Sequence, residues 1–188
     1  MYFFTENCSE NCDIKISPNS VEHAYLAILN DELDAASIIF SNIDSARAKW
    51  GKILVSILNG YMKFYPTYFQ IRNFLEIDLD FLLKNEKIEY VELLLGALDE
   101  LVQINQETYK FAARVMFANK LYSAAFNYMQ KSKLIYYNDA ELHFMFAKYY
   151  FTVHDYNEAE FYINECLNLI PDYYPAVVFK QKIDEILF

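Results

Sequence analysis

The chain has 188 residues, 55% hydrophobic and 18% aromatic, enough apolar surface for one sizeable core, which excludes disorder along its whole length. Its 3 glycines, Gly51, Gly60 and Gly96, lie too far apart for a phosphate-cradling loop or a dinucleotide fingerprint, and the turn signals of a β-sandwich or barrel are missing. A formal net charge of −10 sets an average field that repels nucleic acid and anionic membrane surfaces, so neither partner is expected.

Residues 1–17 read as a flexible polar leader. It opens Met1-Tyr2-Phe3-Phe4 without a basic start or a long apolar run, so a secretory signal is not expected. The best apolar stretch, Ile53 to Leu58, contains Ser56 and falls far short of the roughly 18 residues of a membrane span. Cys8, Cys12 and Cys166 are an odd set with no disulfide framework, which suits a reducing, cytoplasmic setting.

From residue 19 onward apolar residues recur at helical spacing, predicting one all-α domain over 18–188 with about ten helices. These are expected near 19–30, 32–43, 45–62, 66–84, 87–103, 106–119, 122–136, 140–153, 156–169 and 173–187. Asn19-Ser20, Asp31 and Asp44 are capping candidates for the first three, because short polar side chains accept from the free amides of a first turn. Pro66 and Pro175 are expected just inside helix starts, where a missing N–H costs nothing, with Pro18 before the first helix and Pro171 beyond a helix end.

Slid against itself, the sequence shows a period of 34. Gln106–Asp139 lies over Ala140–Tyr173 without a gap, setting Ala113 on Ala147, Tyr122 on Tyr156, Ala125 on Ala159 and Tyr128 on Tyr162. Small residues in both helices of a pair allow close approach, while Tyr122 and Tyr156 open the second helix beside the turn. This small–aromatic–small order, with His154-Asp155-Tyr156-Asn157-Glu158-Ala159 and a closing Pro171, resembles the tetratricopeptide repeat (TPR). Tyr109 and His143 stand where that family usually has Trp, and Lys120 and His154 where it usually has Gly. The resemblance is good over 106–188, fair over 72–105 and weak before that. Leu79, Val91 and Leu98 replace small residues in 72–105, so that pair is expected to be splayed. Residues 20–44 fit a short hairpin with Ala24 and Ala36 at its contact, and 45–71, with Trp50 and Pro66, breaks the period. The resemblance implies a TPR-like α-solenoid of helical hairpins closed by a capping helix, 173–187, with a helical bundle without solenoid order as the competing reading.

Residues able to do chemistry point away from catalysis and cofactors. Cys8-x3-Cys12 is half of a zinc pattern, but His23, His143, His154 and Cys166 lack partner spacing, so no metal is expected. Cys166 falls in a small-residue slot and reads as a buried, inert thiol. No histidine is placed as base beside a nucleophile, and the pairs Asp78/Asp80 and Asp99/Glu100 read as solvated helix faces.

Charge patterning says more. Residues 76–107 carry nine acidic side chains, whereas 108–138 carry none and hold Lys110, Arg114, Lys120, Lys131 and Lys133. In the register of the resemblance, first helices line a concave side. Arg114, Lys148 and Lys182 stand 34 residues apart there, with Lys110 one turn before Arg114 and Phe117, Phe144 and Phe151 on the same face. Either Glu107, Glu141 and Asp80 neutralise this lane or a partner does.

The expectation is a non-enzymatic interaction module or adaptor. It would bind a protein or peptide with acidic and apolar residues through Lys110, Arg114, Phe117, Phe144, Lys148, Phe151 and Lys182. The carboxylate-clamp version of the family is poorly matched, since Phe111 and Met145 stand where its amides belong. Two alternatives are a small secretion-type chaperone shielding an apolar client segment, and a regulatory subunit or enzyme with its site in 45–75.

Overall fold

The computed structural model describes residues 17 and 19–187, all of whose regular structure is helical. In chain order the helices are α1 (Val21–Leu29), α2 (Leu33–Ser41), α3 (Ala46–Leu58), α4 (Tyr68–Lys84), α5 (Ile88–Gly96), α6 (Leu98–Leu101), α7 (Thr108–Ala118), α8 (Tyr122–Ile135), α9 (Ala140–Thr152), α10 (Tyr156–Leu169) and α11 (Tyr174–Leu187). Every segment expected to be helical holds a helix, and only the expected 87–103 divides, into α5 and the single turn α6. Residues 1–16 of the leader, with Cys8 and Cys12, and Pro18 lie outside the described residues.

Local chemistry explains the starts. Ser20 caps α1 by accepting from the amide of His23 at 3.1 Å, and Ser45 caps α3 from Ala48 at 3.1 Å. Thr67 and Gln70 form a reciprocal capping box at α4. Asp139 and Asp155 cap α9 and α10. Three expectations are corrected. Asp31 is not a cap but the left-handed turn residue before α2, whose N-cap is Glu32; Asp44 precedes the cap Ser45 and pairs with Lys49 at 2.8 Å. Pro66 sits before the N-cap Thr67 rather than inside α4, because the Thr67–Gln70 box sets the start.

The helix ends share one device. Asp31, Glu86, Lys120 and His154 all have positive φ, between 56 and 65°, as does Gly60 at 86°. In each, that residue's amide reaches back to a carbonyl three residues earlier and the next amide to one five earlier: Lys120 to Phe117 and Leu121 to Met116, His154 to Phe151 and Asp155 to Tyr150. This left-handed stop turns the chain between α1 and α2, α4 and α5, α7 and α8, and α9 and α10, and the last three turns keep the 34-residue spacing.

Each of those pairs packs as a hairpin, and helices next in sequence pack on one another along the chain, with α4 also against α7. Ala24, Ala36, Ala113, Ala125, Ala147 and Ala159 are all fully buried, which lets the paired axes approach. Tyr109 stacks on Tyr128 at 6.3 Å, and one period later His143 stacks on Tyr162 at 5.9 Å. Gly51 is needed for close approach of α3 to α2, since a Cβ there would stand 2.5 Å from the ring of Phe40.

Trp50 organises the N-terminal core. It is fully buried, and its indole N–H donates to Asp78 of α4. Asp78 also accepts from the Tyr25 hydroxyl at 3.1 Å and from both terminal nitrogens of Arg47, so one carboxylate ties α1, α3 and α4 together. Asp78 is therefore not on a solvated face as expected. Burial raises its pKa, against the pull of Arg47 and the indole. Its neighbour Asp80 is partly exposed and pairs with Lys84 at 2.5 Å.

Candidate functional site

The site is built on α7, α9 and α11. Phe117 comes from the last turn of α7, Phe144, Lys148 and Phe151 from one face of α9, and Phe179 and Lys182 from α11. The spacing 144, 148, 151 is helical, so the three α9 side chains share a stripe. Phe144 meets Tyr173 at 5.6 Å and Phe179 at 5.7 Å, both edge-on, and Phe151 meets Phe179 at 5.1 Å. Phe117 and Phe151 each pack on the tyrosine that opens the next helix, Tyr122 at 5.3 Å and Tyr156 at 5.4 Å.

Two lysines lie over these rings. The ammonium of Lys148 sits 5.2 Å from the ring centre of Phe117 and 5.6 Å from that of Phe144, and Lys182 sits 4.8 Å from Phe151. Among the described residues neither has a carboxylate within ion-pair distance. Aromatic faces attract the cations, and each such contact contributes about 0.5–1 kcal/mol at an exposed site while leaving the N–H donors available.

Between α7 and α9 the surface opens into a cavity of about 300 Å³ lined by Arg114, Phe117, Glu141, Phe144, Lys148 and Tyr173, with Ala118 and Met145. Its size is at the lower end of ligand sites, roughly 300–1,000 Å³, with room for one or two apolar side chains. Four of the seven residues picked out from sequence, Arg114, Phe117, Phe144 and Lys148, meet in it. Phe151 and Lys182 extend the same aromatic and cationic strip onto α11.

Lys110 departs from the expectation. It is 4% exposed, and its ammonium is held by Asp139 at 2.6 Å, Glu107 at 2.9 Å and Glu141 at 3.2 Å. Burial opposes its charge, but those carboxylates outweigh burial and push its pKa up to about 12. Arg114 is half-buried and bound to Glu76 at 2.5 Å and to Glu141. The cations of the lane thus divide: Lys110 and Arg114 are neutralised within the chain, Lys148 and Lys182 are not. Asp80, one period before Arg114, pairs with Lys84 and accepts from Asn119 at 2.9 Å, and has no ion pair with the lane.

Tyr173, Phe179 and Glu76 join the site without having been expected there from the sequence. Phe179 carries a readable signal, since a step of 34 leads from Phe111 to Met145 to Phe179. Glu76 carries none, because it meets Arg114 across 38 residues.

Elsewhere, Cys166 is fully buried, and burial raises its thiol pKa to about 11, far from a nucleophile's range. His143 is buried, and His154 sits in a turn with its ring bonded to the Tyr156 hydroxyl at 2.8 Å. In 45–75, Arg47 and Trp50 are committed to Asp78. Among the described residues no group of three or more His, Cys, Asp or Glu is placed to hold a metal, and no helix is long and apolar enough to cross a membrane. No family model matches the chain, and no curated protein matches it significantly.

Proposed function

We propose that the chain is a non-enzymatic interaction module, a TPR-like helical-repeat adaptor that takes a segment of another protein into the groove of α7, α9 and α11. The observation that carries this reading is the cavity where Phe117, Phe144 and Lys148 converge, its lining mostly aromatic and apolar, with Lys148 its one charge outside an ion pair among the described residues. An apolar side chain of the partner enters the cavity, and burying it contributes about 1.5–3 kcal/mol. Partner carboxylates meet Lys148 and Lys182, whose ammonium groups are pre-placed over aromatic rings, so little side-chain freedom is lost on binding. The partner segment is therefore acidic and apolar together. Lys110 and Arg114 have a supporting part, holding α4, α7 and α9 in register beneath the groove.

The test is affinity capture from the native organism with the wild-type chain and with Lys148→Glu/Lys182→Glu. These substitutions leave the internal ion pairs of Lys110 and Arg114 intact but give up the ring contacts of Lys148 and Lys182, so circular dichroism and thermal unfolding first check that the variant is folded. The expected result is a partner retained by the wild type and lost by the double variant, with an apolar-to-alanine change in the partner segment giving the same loss. Equal recovery by both chains would falsify the groove.

A further inference from the structure

A second face of the molecule is unassigned, and it uses none of the groove residues. Residues 45–75 hold no acidic side chain, inside a chain of net charge −10; of their five cations Arg47 and Lys49 pair with Asp78 and Asp44, and among the described residues Lys52, Lys63 and Arg72 have no ion pair. The loop between α3 and α4 presents Tyr61, Phe64 and Tyr65 to solvent, and Phe69 follows in the first turn of α4; Tyr65 is 70% and Phe69 68% exposed. Lys52 and Lys63 both lie over the Phe64 ring, at 5.6 and 5.5 Å. The loop has a firm base: Pro66 is buried, and the Thr67–Gln70 box fixes the start of α4.

Directly beside this basic, aromatic surface is the opposite one. A cavity of about 540 Å³ is lined by the apolar Ile57, Leu93 and Ala97, by the carboxylates of Glu89, Glu92 and Glu100, and by Tyr61 and Met62 of the same loop. Among the described residues none of Lys52, Lys63, Glu89, Glu92 and Glu100 takes part in an ion pair. Unpaired cations gathered at Phe64 and unpaired carboxylates gathered at the cavity thus adjoin the same loop, whose Tyr61 and Met62 line that cavity.

We infer that this face binds a second copy of the chain in a two-fold symmetric dimer. A two-fold contact places the same patch on both sides, so a patch must complement itself. A uniformly basic or acidic face repels its own copy. A face with a basic half and an adjoining acidic half, turned about an axis between the two, sets each half on its opposite. Lys63 and Phe64 of one protomer then enter the cavity of its partner, the ring against the apolar lining and the ammonium among the glutamates, and the contact occurs twice. Nucleic acid or an anionic surface would satisfy only the basic half and would be repelled by the three glutamates beside it.

The experiment is sedimentation of the full chain over a concentration series, with two variants: Lys52→Glu/Lys63→Glu, which makes the face wholly acidic, and Glu89→Lys/Glu92→Lys, which makes its acidic half basic. Circular dichroism checks that each is folded, which the exposed positions of Lys63, Glu89 and Glu92 and the partly exposed one of Lys52 favour. The expected result is a wild-type dimer that weakens with added salt, each variant dissociating about tenfold or more below wild-type affinity, and an equimolar mixture of the two variants recovering a dimer. A wild-type chain that stays monomeric at high micromolar concentration overturns the proposal and leaves the face to another macromolecule. So does a dimer whose affinity neither variant changes. Since the groove residues are untouched, partner capture by the groove stands or falls separately.

Discussion

Lys120 and His154 stand 34 residues apart and adopt the same left-handed backbone, with φ of 61° and 63°. Each ends the first helix of a hairpin, where a side chain brings Cβ too close to the following carbonyl. Glycine has no such conflict but loses more freedom on folding. The balance predicts that Glu86→Gly and Lys120→Gly each raise stability by about 0.5–1 kcal/mol. His154→Gly should gain less, because it also gives up the bond to the Tyr156 hydroxyl. Denaturant midpoints measure this, and a loss of stability at both Glu86 and Lys120 contradicts it.

The positions that repeat were legible in the sequence because their causes are local. Apolar spacing, polar caps and the 34-residue step locate each helix and bring Arg114, Phe117, Phe144 and Lys148 to one place. What was not legible depends on partners far along the chain. Asp78 is flanked by Ile77 and Leu79 like any surface acid of an amphipathic helix, and its donors Tyr25, Arg47 and Trp50 lie 53, 31 and 28 residues away. Lys110 reads as the start of a basic lane until Asp139, 29 residues on, closes over it. In both cases the competing charge arrives from another helix, and the solvated and buried readings look alike in one dimension.

Asp78 supports a stability prediction of the largest size in this molecule. Asp78→Ala leaves the Arg47 guanidinium and the Trp50 indole N–H facing an apolar gap, and removing one member of a buried ion pair costs about 3–5 kcal/mol. Trp50→Phe keeps the ion pair and loses one hydrogen bond and some volume, so its cost is smaller, about 1–3 kcal/mol. Thermal or denaturant unfolding gives the order. Equal effects of the two substitutions would show that packing of the indole, not the carboxylate, holds α1, α3 and α4 together.

Lys110 makes a parallel case beneath the groove. Lys110→Met keeps the length of the side chain but leaves Asp139 and Glu107 without a cation and Glu141 with Arg114 alone, a cost of about 1–3 kcal/mol given that the acids are partly solvated. Adding Asp139→Asn to Lys110→Met relieves part of that cost while retaining an N-cap for α9, since Asn caps about as well as Asp. The double variant should therefore be no less stable than Lys110→Met, as read by chemical denaturation. If Asp139→Asn costs as much in the variant as in the wild type, the two residues are not coupled.

His143 carries the pH dependence. Burial lowers its pKa from the ordinary 6.5, and among the described residues its Nδ1 has no hydrogen-bond partner, while its ring is held between Tyr137 at 4.8 Å and Tyr162 at 5.9 Å. The unfolded chain then takes up a proton at this residue before the folded chain does. Its contribution is fully present above the unfolded pKa and is lost as pH falls from 6.5 through the depressed folded value. His143→Phe keeps a stacking ring and removes the titration. The stability difference between wild type and His143→Phe, measured at about pH 7.5 and about pH 5.5, should shift in favour of the variant at the lower pH. Other groups titrate equally in both chains and cancel in that difference, so a difference that stays constant across this range would mean that the His143 ring takes up its proton in the folded state as readily as in the unfolded one.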